Sequence, residues 1–236
     1  MDRIICASGD SFTQEFLQEP EHRWTTQIGV THNIAMGGAG NDRIFNATLT
    51  YLNETTPDIL IVGWSSTARG SLYHTQGTRV IVAPHRCFDE QTADDYPDIQ
   101  EFYYKNLHNH FINFTNTLNY MIFLQEYCRY RKIKLLYFRS VMDEELDDES
   151  LRKVAATAFM SKENKAIESA GVKSNVEKLK SLVSKLDKDI WIKQFWYSMG
   201  NHMEQRFPNS ITQFDPHKPL LKEGIKDWGE LVQKHL

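Results

Sequence analysis

Short apolar runs alternate with helix-compatible segments along this chain, and that alternation constrains the fold more than any other feature. Arg3 to Ser8, Asp58 to Trp64 and Lys134 to Arg139 are rich in Ile, Leu, Val and aromatic residues, and each is about the length of a buried strand. Thr31 to Met36 is a fourth candidate, ending at Gly37-Gly38. Between them, Ile44 to Leu52 and Glu101 to Arg131 space their apolar residues as helices do, and Pro219 to Leu236 places Ile225, Trp228, Val232 and Leu236 on one helical face. Strands of this kind separated by helices predict an α/β fold with a mainly parallel sheet covered on both faces.

Two segments break the rhythm. Residues 66–100 are polar and irregular, carrying Arg69, His74, Arg79, His85 and Arg86, and read as a loop insertion after a strand end. Residues 143–190 are charge-rich and helical in pattern, and read as a solvated helical insertion. The chain of 236 residues shows no repeat and no Gly/Ser linker, so a single domain over 1–236 is expected. A formal net charge of −4 argues against a nucleic-acid partner. No apolar run is long enough to span a bilayer, and the N-terminus lacks a signal-peptide core, so no membrane association and a cytoplasmic location are expected. The cysteines Cys6, Cys87 and Cys128 are scattered and odd in number, which fits reduced thiols and offers no metal-ligand pair.

The chemistry-bearing residues fall where strands end. Gly9-Asp10-Ser11 follows the first strand, Gly37-Gly38-Ala39-Gly40-Asn41 the second, and Gly63-Trp64-Ser65-Ser66-Thr67-Ala68-Arg69 the third. In a doubly wound sheet these ends share the edge at which ligands bind. A nucleophilic serine needs a base and a group that orients the base. Phe214-Asp215-Pro216-His217, just before the last helix, offers a carboxylate two residues from an imidazole. The glycines near Gly38 would let backbone N–H groups approach an oxyanion, and Ser65 or Ser66 could add a hydroxyl. Arg69 could take a substrate carboxylate or pair with an acid. Each segment also has a plain reading. Gly-Asp-Ser is a good turn and cap, Asn41 a good helix cap, Asp-Pro-His a helix entry, and strand-end serines often only form turns.

Together the four segments resemble the SGNH hydrolase superfamily, the GDSL-type esterases and lipases. Gly9-Asp10-Ser11 matches its first block, Asn33 and Gly38 with Asn41 its second, and Asp215 with His217 its last. The resemblance implies a flavodoxin-like three-layer α/β/α sandwich and a serine-dependent esterase with no metal or organic cofactor. It implies Ser11 as nucleophile, His217 as general base and Asp215 as its orienter. The oxyanion hole would use the backbone N–H groups of Ser11 and Gly38, with Asn41 and Ser65 as further donors. Asp10, Trp64 and Arg69 are the candidate substrate-binding residues. The partner implied is a small ester, with a carbohydrate O-acetyl group as one class. The chain departs from the family in two places: Ser65 stands where the third block has Asn, and Asp-x-His replaces Asp-x-x-His. The Gly-Trp-Ser-Ser…Arg variant resembles small members of the superfamily from bacteriophages. The departures motivate the alternative of a non-catalytic ligand- or carbohydrate-binding module on a degenerate SGNH scaffold.

Overall fold

The structure is a computed structural model that describes residues 3–14, 23–73, 79–82, 102–140, 146–158, 165–192 and 219–236. In chain order the elements are β1 (Ile5–Ser8), α1 (Ser11–Gln14), α2 (Trp24–Gln27), β2 (His32–Asn33), α3 (Asn41–Glu54), β3 (Ile59–Trp64) and the strands β4 (Gly70–Tyr73) and β5 (Arg79–Val82). After a π-helical turn (Tyr103–Leu107) come α4 (His110–Arg131), β6 (Lys134–Arg139), α5 (Asp148–Ala156), α6 (Lys165–Val183), a short 3₁₀ turn (Lys188–Ile190) and α7 (Pro219–Gln233).

The main sheet has the order β2-β1-β3-β6, and every pair in it is parallel. Beyond β6, Trp191 makes an isolated parallel bridge to Tyr137, and the Ile192 N–H donates to the Tyr137 carbonyl at 2.8 Å. The progression outward from β1 in both directions is the flavodoxin-like order. β4 and β5 pair antiparallel as a separate ribbon.

Side-chain alternation divides the core into two layers. Cys6, Leu60, Val62, Trp64, Leu135 and Tyr137 face one side, against Ile44 and Leu52 of α3 and Phe114, Leu118, Met121 and Leu124 of α4. Ile5, Ala7, Ile59, Ile61, Leu136 and Phe138 face the other, against Trp24 of α2 and Trp228 and Val232 of α7. The fold is thus a three-layer α/β/α sandwich, and its strands read as continuous apolar runs because both faces are covered. Gly63 is required by this packing: a Cβ there would meet the Phe138 ring and lie 2.8 Å from Thr13 Oγ1.

Three expectations need adjustment. The second strand is shorter than residues 31–36, although the Ile34 and Met36 N–H groups still bond the Ala7 and Gly9 carbonyls at 2.9 and 3.0 Å. The helix expected over 101–131 is interrupted at His108-Asn109. There Asn109 is extended, and its side chain caps α4 by accepting from the Ile112 N–H at 3.0 Å. The charge-rich stretch also contributes to the core, burying Leu151, Val154 and Ala155 of α5 and Val176 and Leu179 of α6 in the α3/α4 layer. Its charges line the outward side, as in the exposed Lys153–Glu149 pair at 2.7 Å.

Candidate active site at the sheet edge

The parallel registers bring the strand ends together. Ser8 pairs with Val62 and Ala7 with Asn33, and Trp64 pairs with Arg139. Past the last pair, the Ser65 hydroxyl donates to Asp10 Oδ2, so the Asp10-Ser11 turn lies against the end of β3. The Met36 N–H on the Gly9 carbonyl brings the Gly37-Gly38 turn beside the Ser11 turn.

Ser11 opens α1 and is half-buried. Among the described residues none hydrogen-bonds its hydroxyl. Its backbone is held from several directions. Asp10 Oδ1 accepts from the Phe12 N–H at 3.1 Å, and the Asp10 carbonyl accepts from the N–H groups of Thr13 and Gln14 at 3.0 and 2.9 Å. Asn33 Nδ2 donates to the Thr13 carbonyl at 2.8 Å, and Trp24 Nε1 to the Phe12 carbonyl at 3.0 Å. Gln14 Oε1 accepts from the Gly37 N–H at 2.5 Å, tying α1 to the glycine turn. Gly38 adopts φ 72°, a conformation open to glycine and costly for most other residues.

Beneath Ser11 lies a buried charged cluster. Asp10 Oδ2 accepts from Ser65 Oγ at 2.8 Å and from Arg69 Nη1 at 2.9 Å, and Arg69 Nη1 is also 2.9 Å from Ser65 Oγ. The Asp10 side chain is fully buried and that of Arg69 is 5% exposed, so the charges meet with little water between them. Asn41 secures the same strand end: its Oδ1 accepts from the Ser65 N–H at 2.8 Å and its Nδ2 donates to the Ser65 carbonyl at 2.9 Å. The second Nδ2 hydrogen reaches Thr117 Oγ1 at 3.1 Å.

These contacts redistribute the roles expected from sequence. Asn41 is the first residue of α3 rather than its cap, which is Gly40, and both its amide hydrogens are engaged inside the protein. The Ser65 hydroxyl hydrogen points at Asp10. Neither side chain has a hydrogen left for an oxyanion in this arrangement; both brace the strand end. Asp10 and Arg69 neutralise each other, and their charges are already matched before any substrate arrives. Trp64 is a core residue: it continues the Leu60–Val62 face, is fully buried, and meets the Tyr137 ring edge-on at 5.5 Å. Asp215 and His217 lie outside the described residues, as do His74, His85 and Arg86. Among the described residues no group of three His, Cys, Asp or Glu could hold a metal ion, and no helix is long and apolar enough to cross a membrane.

Gln14 and Trp24 escaped the sequence reading, because a single Gln or Trp beside a strand end carries no motif. Asn113 and Thr117 left a fainter trace as polar residues one turn apart on α4. Asn113 Nδ2 donates to the Thr67 carbonyl at 3.2 Å, and Thr117 Oγ1 to the Asn113 carbonyl at 2.9 Å.

No protein-family model matches the chain, and no curated protein does. Two solved structures are similar to it. One is described as a lipolytic protein of the G-D-S-L family from Desulfitobacterium hafniense DCB-2, at 11% identity over 100% of both chains with a TM-score of 0.48. The other is an acetyl xylan esterase, AlAXEase, at 11% identity over 77% of this chain and 73% of that one, with a TM-score of 0.34.

Proposed function

We propose that the protein is a serine hydrolase that cleaves a small ester through an acyl-enzyme on Ser11. The observation that carries this reading is the Ser11 turn itself. Its hydroxyl is unengaged among the described residues, while the neighbouring polar groups are paired to hold its backbone. A nucleophile needs that combination of a rigid mount and an available oxygen. Asp10 is the nearest carboxylate in sequence, but with Arg69 and Ser65 on Oδ2 it is poorly suited to accept the Ser11 proton.

In this reading His217 is the general base and Asp215 orients its ring. As Ser11 Oγ attacks the ester carbonyl, His217 takes the hydroxyl proton. The oxyanion is met by the backbone N–H groups of Ser11 and Gly38. Collapse expels the alcohol, which leaves with the proton from His217. A water then attacks the acyl-enzyme, gives its proton to His217 and releases the acid. A fluorophosphonate probe tests the assignment. Wild type is expected to be labelled and Ser11→Ala not; equal labelling of the two, or none of wild type, overturns it.

A second reading has its own observation. With the Asn41 amide and the Ser65 hydroxyl engaged internally, two of the four expected oxyanion donors are unavailable, and losing one donor costs on the order of 10²–10³ in rate. A binding module on the same scaffold would bind ligand with no turnover. A product burst from 4-nitrophenyl acetate that disappears in Ser11→Ala rules that module out.

A further inference from the structure

Gly38 can serve an oxyanion at Ser11 only if its N–H is held in the right direction, and the turn around it governs that direction. The Ala39 N–H donates to the Met36 carbonyl at 3.1 Å, so Met36 to Ala39 form a four-residue turn. Within it Gly38 has φ 72° while Gly37 keeps a negative φ, which is the type II form. Type I and type II turns differ by roughly a half-rotation of the central peptide, and here that peptide carries the Gly38 N–H. A residue with a Cβ at position 38 would favour the other form and turn the N–H to the opposite side.

The turn must also be placed against Ser11. Two hydrogen bonds do this, one from each side of Ser11 in the chain. The Met36 N–H donates to the carbonyl of Gly9, which precedes the Asp10-Ser11 turn, at 3.0 Å. The Gly37 N–H donates to Oε1 of Gln14, which follows it, at 2.5 Å. Ser11 and Gln14 open and close α1, and their spacing sets them on the same side of that helical turn. The Gln14 backbone is fixed in its turn. Its N–H donates to the Asp10 carbonyl at 2.9 Å, and Asn33 Nδ2 holds the preceding Thr13 carbonyl at 2.8 Å. Among the described residues, Gln14 is the side chain that joins the helix bearing Ser11 to the turn bearing the Gly38 N–H. Its chemistry suits the place. A carboxamide oxygen accepts from Gly37 without bringing a charge, whereas a carboxylate would oppose a developing oxyanion and an ammonium group has no acceptor to offer.

We propose that Gln14 is a positioning residue for the oxyanion hole: through Gly37 it sets the spacing between the Ser11 and Gly38 N–H groups. This role rests on the serine-hydrolase reading of Ser11. The tether itself is read without turnover, by amide NMR of isotope-labelled wild type and Gln14→Met. The Gly37 amide proton is expected downfield and slow to exchange in wild type, and upfield and faster to exchange in Gln14→Met. No difference between the two proteins overturns the proposal, as does a fast-exchanging Gly37 amide in wild type alone. Kinetics with 4-nitrophenyl acetate test the consequence. Gln14→Met is expected to lower kcat by about ten- to a hundredfold with KM nearly unchanged, the loss that a displacement of about 1 Å brings at a reacting centre. In a Gly38→Ala background, where the N–H has already turned away, adding Gln14→Met should lower kcat further by less than about twofold. An unchanged kcat, a loss confined to KM, or the full loss repeated in the Gly38→Ala background overturns the role. Absence of fluorophosphonate labelling in wild type removes the serine reading and the role with it. Labelling of wild type together with any of those three kinetic results removes the role alone.

Discussion

Asp10 and Arg69 form the most consequential pair at the scale of single residues. They are 59 positions apart and meet at 2.9 Å in the interior. Removing one partner strands the other charge without water, which costs more than the pair itself contributes. Arg69→Met is expected to lower unfolding stability by about 3–5 kcal/mol in urea titration. Adding Asp10→Asn to it should cost less than the two single changes summed; strict additivity would contradict the ion pair. Asn41→Asp keeps the acceptor for the Ser65 N–H but faces the Ser65 and Thr117 oxygens with a carboxylate. It is expected to cost about 2–3 kcal/mol, whereas a neutral outcome would mean that the Asn41 bracket is dispensable. At this scale the sequence marked Asp10, Asn41, Ser65 and Arg69 as residues of the edge. It could not divide them into groups facing a ligand and groups facing one another, because hydrogen-bond partners are chosen across space.

The elements show where local signals suffice and where they do not. β6 has the bounds that its apolar run predicts, Lys134 to Arg139. The long helix does not, because Asn109 stops the preceding turn and starts α4 anew. Asn109→Ala is therefore expected to destabilise by about 1 kcal/mol, measured as a lower thermal midpoint, with no change if the cap is idle. At its other end α4 stops at Lys132, which adopts φ 58° and ψ 32°, the left-handed conformation that glycine takes without strain. Lys132→Gly is expected to raise stability by up to about 1 kcal/mol; a loss would show that the lysine side chain matters more than its backbone. The charged stretch misled for a related reason. Its abundant Asp, Glu and Lys describe the outer faces of α5 and α6, while a narrow stripe including Leu151, Val154, Val176 and Leu179 joins the core.

For the molecule as a whole, the two-sided core holds thiols and a phenol where their charged forms are disfavoured. Burial pushes the Cys6 and Cys128 thiols, and the Tyr51 phenol beside Cys6, up to about 12. In the unfolded chain the thiols lose their protons near 9, so between about 9 and 12 the unfolded state binds fewer protons than the folded one. The stability these groups contribute is complete below pH 9 and declines as pH rises toward 12, by at most about 1.4 kcal/mol per pH unit for each thiol. Urea midpoints at pH 8, 9.5 and 10.5 should fall in that order, and a flat profile would contradict the burial. In a Cys87→Ser background, native protein at pH 8 should resist iodoacetamide until denaturant is added.

By itself the sequence determined the strands, the helices between them and the edge at which the glycine turns and serines gather. Those features follow from periodicity and turn chemistry within a few residues. Only the tertiary structure decided which polar groups remain open and which are closed off. Asn41 embraces Ser65 from 24 positions away, and Asp10 is neutralised from 59, so residues that looked like ligand contacts became the frame of the site. Trp64 shows the same limit: the parity of a strand sent it to the core, while Ser65, one position on, reached the edge. The physical reason is common to these cases. A strand or a turn is specified by its neighbours in sequence, whereas a buried hydrogen bond or ion pair is specified by whatever the packed sheet brings within 3 Å of it.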